Sequence, residues 1–115
     1  MRLSDLNKNG CGIYKITCLV NGKIYVGQSK DIAQRWSTHI RDLLRGRHTN
    51  KELLQDFQLY GLESFDAEIL ECCEKDKLLD KESEWAIKIY NAGFYLYNLS
   101  NDGNIRRAVG LPYNI

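Results

Sequence analysis

Proline is almost absent from this chain. Pro112 is the single one in 115 residues, so the ring that breaks helices and strands interrupts nothing before the final positions. No apolar run approaches the ~18 residues of a membrane span, which excludes a transmembrane helix. Met1 to Asn9 is polar and lacks the apolar centre of a secretory signal, so the chain reads as intracellular. Cysteine is sparse: Cys11, Cys18, Cys72 and Cys73, two of them adjacent. In an intracellular chain these read as free thiols rather than disulfides. What is present is ordinary: 43% hydrophobic and 27% charged residues, which excludes disorder and fits one globular domain.

A surplus of one charge is also missing, since the net charge is only +1. The average conceals a split. Residues 1–51 hold ten Lys and Arg against three acids, whereas residues 52–115 hold six against twelve. Much of the positive excess lies at Lys30, Arg35, Arg41, Arg45, Arg47 and Lys51. This suits either a side that faces a polyanion or a merely solvated helix face.

The first pattern along the chain is Gly12 to Val20, rich in β-branched residues, then Asn21-Gly22, then Lys23 to Gly27. Two such runs around Asn-Gly predict a β-hairpin. Ile32, Trp36, Ile40, Leu43 and Leu44 then predict an amphipathic helix, capped by Asp31 and ended at Gly46. A second helix opens at the Thr49-Asn50-Lys51-Glu52 capping box, buries Leu53, Leu54 and Phe57, and stops near Gly61. Phe65 to Cys73 predicts a third strand and Asp76 to Tyr90 a third helix. The order β-β-α-α-β-α predicts an α/β (α+β) fold with a small three-stranded, mostly antiparallel sheet flanked by helices. Residues 1–10 read as an N-terminal arm, 11–99 as the domain, and 100–115 as a tail or the start of a linker, with a loop at Ser100 to Gly103.

The third helix carries an anomaly. At 100° per residue from Leu78, the apolar residues Leu78, Leu79, Trp85, Ala86 and Ile89 span about −20° to 100°, and Glu82 falls at about 40°. Glu84 falls at about 240°, on the opposite face. A carboxylate in a core seat costs several kcal/mol unless it is protonated, paired or bound to metal. An ion pair from another element and a metal-binding role both fit.

On the first helix Arg35 and His39 share one flank beside the apolar seam, at i and i+4. An arginine there can grip a phosphate bidentately and a histidine can move a proton, although a histidine at a seam is also an ordinary packed residue. Arg41 and Arg45 face solvent. In the simplest Asn-Gly register Cys18 opposes Tyr25, which puts Tyr14 and Tyr25 on one sheet face but ~13 Å apart. Either the loop is wider than two residues, or the two phenols have separate roles, or both are core residues.

Gly12-Ile13-Tyr14, followed eleven residues after its tyrosine by Tyr25-Val26-Gly27, resembles the GIY-YIG nuclease superfamily, with Val26 in place of the second isoleucine. Arg35-Trp36 followed by His39, Glu82 three residues before Trp85, and Tyr97-Asn98 fall in the family's order over residues 11–99. The chain is similar above all to the catalytic domains of phage and intron homing endonucleases. The resemblance implies phosphodiester hydrolysis on DNA with one divalent ion, Mg²⁺ or Mn²⁺, leaving 5′-phosphate and 3′-hydroxyl ends. By position it implies Tyr14 as general base or water-orienting group and Tyr25 as a second phenol on the phosphate. Arg35 would neutralise charge, His39 would relay a proton, Glu82 would hold the metal and Asn98 would support the site. His48 matches a histidine of the homing branch and joins Lys30, Arg41, Arg45, Arg47 and Lys51 as a candidate nucleic-acid contact. Repair relatives carry a lysine three positions after the second tyrosine. Here it is Gln28, which leaves Lys23 or Lys30 to assist.

The implied setting is the cytoplasm of a bacterium or phage-infected cell, with no membrane partner. Homing enzymes continue into a linker and a DNA-binding region, so the chain reads as a catalytic fragment or a stand-alone nuclease that binds DNA weakly and with little specificity. A double-strand break then takes a dimer or a second visit. Two other readings compete: a catalytically silent binding module of the same fold, and a zinc protein built on the cysteines, His39 and His48, whose spacing fits no usual ligand pattern.

Overall fold

The sheet is built outward from β1 (Gly12–Cys18), whose β-branched and aromatic residues suit a pleated, buried surface. β2 (Ile24–Ser29) and β3 (Phe65–Cys72) pair with it antiparallel on either side, in the order β2-β1-β3. The expected order of elements is thus realised, in a computed structural model that describes residues 10–113. Of the N-terminal arm, residues 1–9 lie outside the described residues.

The hairpin register differs from the simple Asn-Gly expectation. Tyr14 pairs with Gly27 and Ile16 with Tyr25. Cys18 closes the turn with Lys23, donating its N–H to the Lys23 carbonyl at 2.9 Å. Leu19 to Gly22 form a four-residue turn, with Gly22 at φ 75°. The wider turn brings Tyr25 two residues from the level of Tyr14, or ~7 Å along the strand. Both phenols therefore work on one patch of sheet.

Glycine is required at two places by close approach. A Cβ on Gly27 would stand 2.3 Å from the Tyr14 Cζ and Oη, and one on Gly12 would stand 2.1 Å from the Glu71 carbonyl oxygen. The ring of Tyr14 lies where a β2 side chain would otherwise be. Between Ile13 and Tyr14 the β1–β3 register shifts by one residue, a bulge that leaves Leu70 without a partner on β1.

Helices cover both faces. α1 (Ile32–Leu44) and α2 (Lys51–Tyr60) bury Trp36, Leu43, Leu53 and Phe57 against Tyr14, Ile16 and Phe65. α3 (Leu78–Asn91) packs Leu78, Ala86 and Ile89 against Ile13, Ile24 and Val26 on the other face. Asp31 caps α1 by accepting from the Gln34 N–H at 3.1 Å, as expected. The cap of α2 is Asn50 rather than Thr49: its Oδ1 accepts from the Leu53 N–H at 2.9 Å. The third helix starts two residues late, after a 3₁₀ turn at Lys75–Lys77.

Residues 100–115 are folded in part. A 3₁₀ turn at Tyr97–Ser100 leads to α4 (Gly103–Ala108), capped by Asp102 and anchored by buried Ile105 against the α3 side of the core. The preceding segment covers the free edge of β2. Ile24 donates to the Tyr95 carbonyl at 2.9 Å, and the Asn98 side chain meets both backbone groups of Val26, accepting at 2.9 Å and donating at 2.7 Å. One amide side chain thus replaces a missing strand at that point. Among the described residues no helix is long and apolar enough to cross a membrane.

Two stability outcomes follow. Gly27→Ala drives a methyl into the Tyr14 ring and lowers stability by roughly 1–3 kcal/mol, read from the urea midpoint. Asn98→Ala strands a buried N–H and a buried carbonyl and costs roughly 2–4 kcal/mol. An unchanged midpoint in either variant contradicts these contacts.

Candidate active site

The two phenols and α1 meet at His39. The Tyr14 Oη lies 2.6 Å from its Nε2, and the Tyr14 and Tyr25 ring centroids stand 5.7 and 5.3 Å from the imidazole, each edge-on. His39 is 1% exposed, so it sits inside the seam rather than beside it. The reason is the hydrogen bond, which lets the imidazole enter an apolar layer without losing a partner.

His48 is corrected more strongly. Grouped from sequence with the nucleic-acid contacts, it is 3% exposed and turns inward, its Nε2 2.7 Å from the His39 Nδ1. Its own Nδ1 accepts the Asn50 backbone N–H at 3.0 Å. Burial and the Arg35 charge lower the pKa of both rings, His39 to about 3. Both are neutral at physiological pH.

Arg35 is the cation common to the group. Its charge pulls down the pKa of Tyr14 and Tyr25, while burial raises both above the ordinary phenol value and prevails. Glu82, on α3, acts on the same phenols through its charge, which raises both further.

Glu82 is half-buried, and its pKa is pushed up to about 7, first by burial and then by the Asp102 carboxylate. Among the described residues it makes no ion pair, whereas Glu84 is exposed and pairs with Lys81. The helical stripe that placed it holds with one change. Leu79, at the margin, is 69% exposed, and the remaining apolar residues, between about −20° and 80°, still flank Glu82 on both sides. Glu82 lines a cavity with Asp80, Ser83, Asp102, Asn104 and Arg107. An uncompensated half-buried carboxylate beside a second one is a seat that a divalent cation would relieve.

Asn98 sits behind the cleft, holding Val26 next to Tyr25. Lys30, Arg41, Arg45, Arg47 and Lys51 are exposed, and Arg41 and Arg45 border a surface groove over Ile40 and Leu44. Lys23 is engaged elsewhere, its ammonium 4.9 Å from the centre of the Tyr95 ring. The four cysteines are free, and no three metal-ligating side chains gather among the described residues, which removes the support for a zinc reading.

Two residues were missed from sequence. Asn50 contributes a backbone N–H, which no side-chain pattern reports. Asp102 followed by Gly103-Asn104 carried a cap signal, absorbed into the reading of that stretch as a loop.

Known proteins are similar to this chain. Residues 10–93 match the family described as the GIY-YIG catalytic domain. Intron-associated endonuclease 1 of Enterobacteria phage T4 is 38% identical over 92 residues, 78% of this chain and 37% of that protein. The chain thus spans little more than a third of that relative's length. The solved catalytic domain of homing endonuclease I-TevI is 37% identical with a TM-score of 0.62, covering 74% of this chain and 95% of that one. A mutant of the catalytic domain of intron endonuclease I-TevI is 34% identical with a TM-score of 0.63, over 73% and 89%. α4 and Asp102 lie beyond the family match. With its two glycine-tyrosine motifs paired in one sheet and residues 10–93 matched, the chain belongs to the GIY-YIG nuclease family.

Proposed function

We propose that the chain is the catalytic part of a metal-dependent DNA endonuclease, homing-type or stand-alone, leaving 5′-phosphate and 3′-hydroxyl ends. The observation that carries it is that a guanidinium, Arg35, and an unpaired carboxylate, Glu82, from helices on opposite faces of the sheet both act electrostatically on the phenols Tyr14 and Tyr25. The names of the relatives, homing and intron endonucleases, support DNA as the substrate.

Arg35 binds the scissile phosphate and offsets charge that grows on it. Tyr25, partly exposed beside it, orients a phosphate oxygen. Tyr14 orients the attacking water and takes its proton. Glu82, with waters, would hold a single Mg²⁺ or Mn²⁺; one hard carboxylate suits an ion that keeps most of its hydration shell. When bound, that ion supplies charge stabilisation at the leaving 3′ oxygen. Lys30, Arg47 and Lys51 attract the DNA backbone, and Arg41 and Arg45, on the far side of α1, act through their field alone. With one such cleft, a double-strand break takes two copies or two visits.

Plasmid incubated with the protein and Mg²⁺ is nicked or linearised, and Glu82→Ala loses at least about 10²-fold in rate. Intact plasmid with the parent protein, or equal cutting by the variant, refutes the assignment.

Glu82 also makes a stability prediction. Its pKa is higher folded than unfolded, so between the ordinary 4.5 and about 7 the folded state holds the extra proton. Stability of the metal-free protein therefore falls as pH rises through that window. Glu82→Gln escapes this loss. Its Tm matches the parent's near pH 5 and exceeds it near pH 8 by a few degrees, or about 1 kcal/mol after solvent screening. Added Mg²⁺ raises the parent's Tm and leaves the variant's unchanged.

A further inference from the structure

Behind Tyr14 runs a chain of hydrogen bonds with one end that has no choice of role. The Asn50 backbone N–H points at His48 Nδ1 across 3.0 Å. An amide N–H donates and cannot accept, so that ring nitrogen carries no proton. Neutral His48 then carries its proton on Nε2, which faces His39 Nδ1 at 2.7 Å. That nitrogen must accept, so the proton of His39 lies on Nε2. Across 2.6 Å stands the Tyr14 oxygen, left to accept in its turn.

We propose that this chain has a fixed direction, from the Asn50 amide through His48 and His39 to Tyr14, so that His39 donates to the phenol and does not take its proton. His48 is the positioning residue that holds the direction. The proposal deepens the nuclease reading and rests on it for its consequence. The relay role carried over to His39 by resemblance is reversed: an imidazole already donating toward Tyr14 has no lone pair there for a phenolic proton.

The reversal helps the chemistry. Burial raises the Tyr14 pKa and opposes its use as a base. A donor fixed on its oxygen favours the phenolate over the phenol. The phenolic proton leaves to water on the cleft side, where Arg35 and Tyr25 stand. The phenolate, still accepting from His39, then takes a proton from the attacking water as its oxygen bonds to phosphorus. The bond from phosphorus to the 3′ oxygen breaks, and that oxygen takes a proton from cleft water. The neutral state needed for this polarity agrees with the charges around the rings: Arg35 opposes protonation of both, and Lys51 adds to this at His48 against Asp42.

The test uses the whole protein, free of DNA and metal. Two-bond ¹⁵N–¹H correlation spectra of the imidazoles distinguish an Nε2 proton from an Nδ1 proton. Both rings are expected as Nε2–H tautomers; an Nδ1 proton on either, or an exchanging mixture, overturns the direction. His48→Gln keeps an amide donor toward His39, and His48→Leu keeps none. His39 is expected to stay Nε2–H in the first and become a mixture in the second. The kcat for cleavage falls at least tenfold further in His48→Leu than in His48→Gln, with KM within about twofold. A His39 that keeps its tautomer in His48→Leu overturns the positioning role. The spectra of the unsubstituted protein decide the direction even if His48→Leu fails to fold. They need no cleavage, so failure of the nuclease reading and failure of this one are told apart.

Discussion

The contact between the Tyr14 ring and the bare Cα of Gly27 ties the rest of the molecule together. It exists because β1 and β2 pair with Tyr14 opposite Gly27, and it leaves no room for a methyl. With the ring laid over the neighbouring strand, its oxygen reaches across to α1 and meets His39. The same register puts Tyr25 two residues along, edge-on to that imidazole. Moving the register by one residue would send one of these phenols to the opposite face. The glycines of the two motifs are thus steric requirements, one for a ring and one for the backbone of β3.

Around this contact the protein separates what must be rigid from what must be costly. Tyr14, His39, His48 and Asn50 are buried and hydrogen-bonded to one another, and Asn98 locks the free edge of β2. Every one of these polar groups has a partner, so the layer is stable while polar. Glu82 is the exception. It stands among apolar neighbours with a second carboxylate nearby and makes no ion pair among the described residues. Such a group lowers stability in isolation, and its retention is what the proposed metal-holding role explains.

Much of the architecture was legible because its signals are local. Asp31 and Gly46 delimit α1, Gly61 ends α2, and the strand after two helices joins the hairpin as the third member of its sheet. Glu82 was legible for a different reason: helical periodicity shows a charge in an apolar stripe before any neighbour is known. The four-residue turn was not legible, because Asn-Gly signals a two-residue loop equally well and only pairing along the whole hairpin selects between them. His48 was misread because a histidine next to Arg47 in a basic stretch looks like surface. Its burial depends on His39, nine residues away in the chain but adjacent in space. α4 was missed because six residues carry too little periodicity to announce a helix.

The amino-acid order by itself determined which faces are apolar, where elements begin and end, and which acid is out of place, since each follows from residues within a few positions of one another. Only the folded structure decided that phenols on one face of the sheet feel the charge of a carboxylate from the other, and in which direction the histidine chain donates. Those facts depend on distances between elements far apart in the chain and on a backbone amide, which every residue but proline possesses and no pattern of side chains reveals.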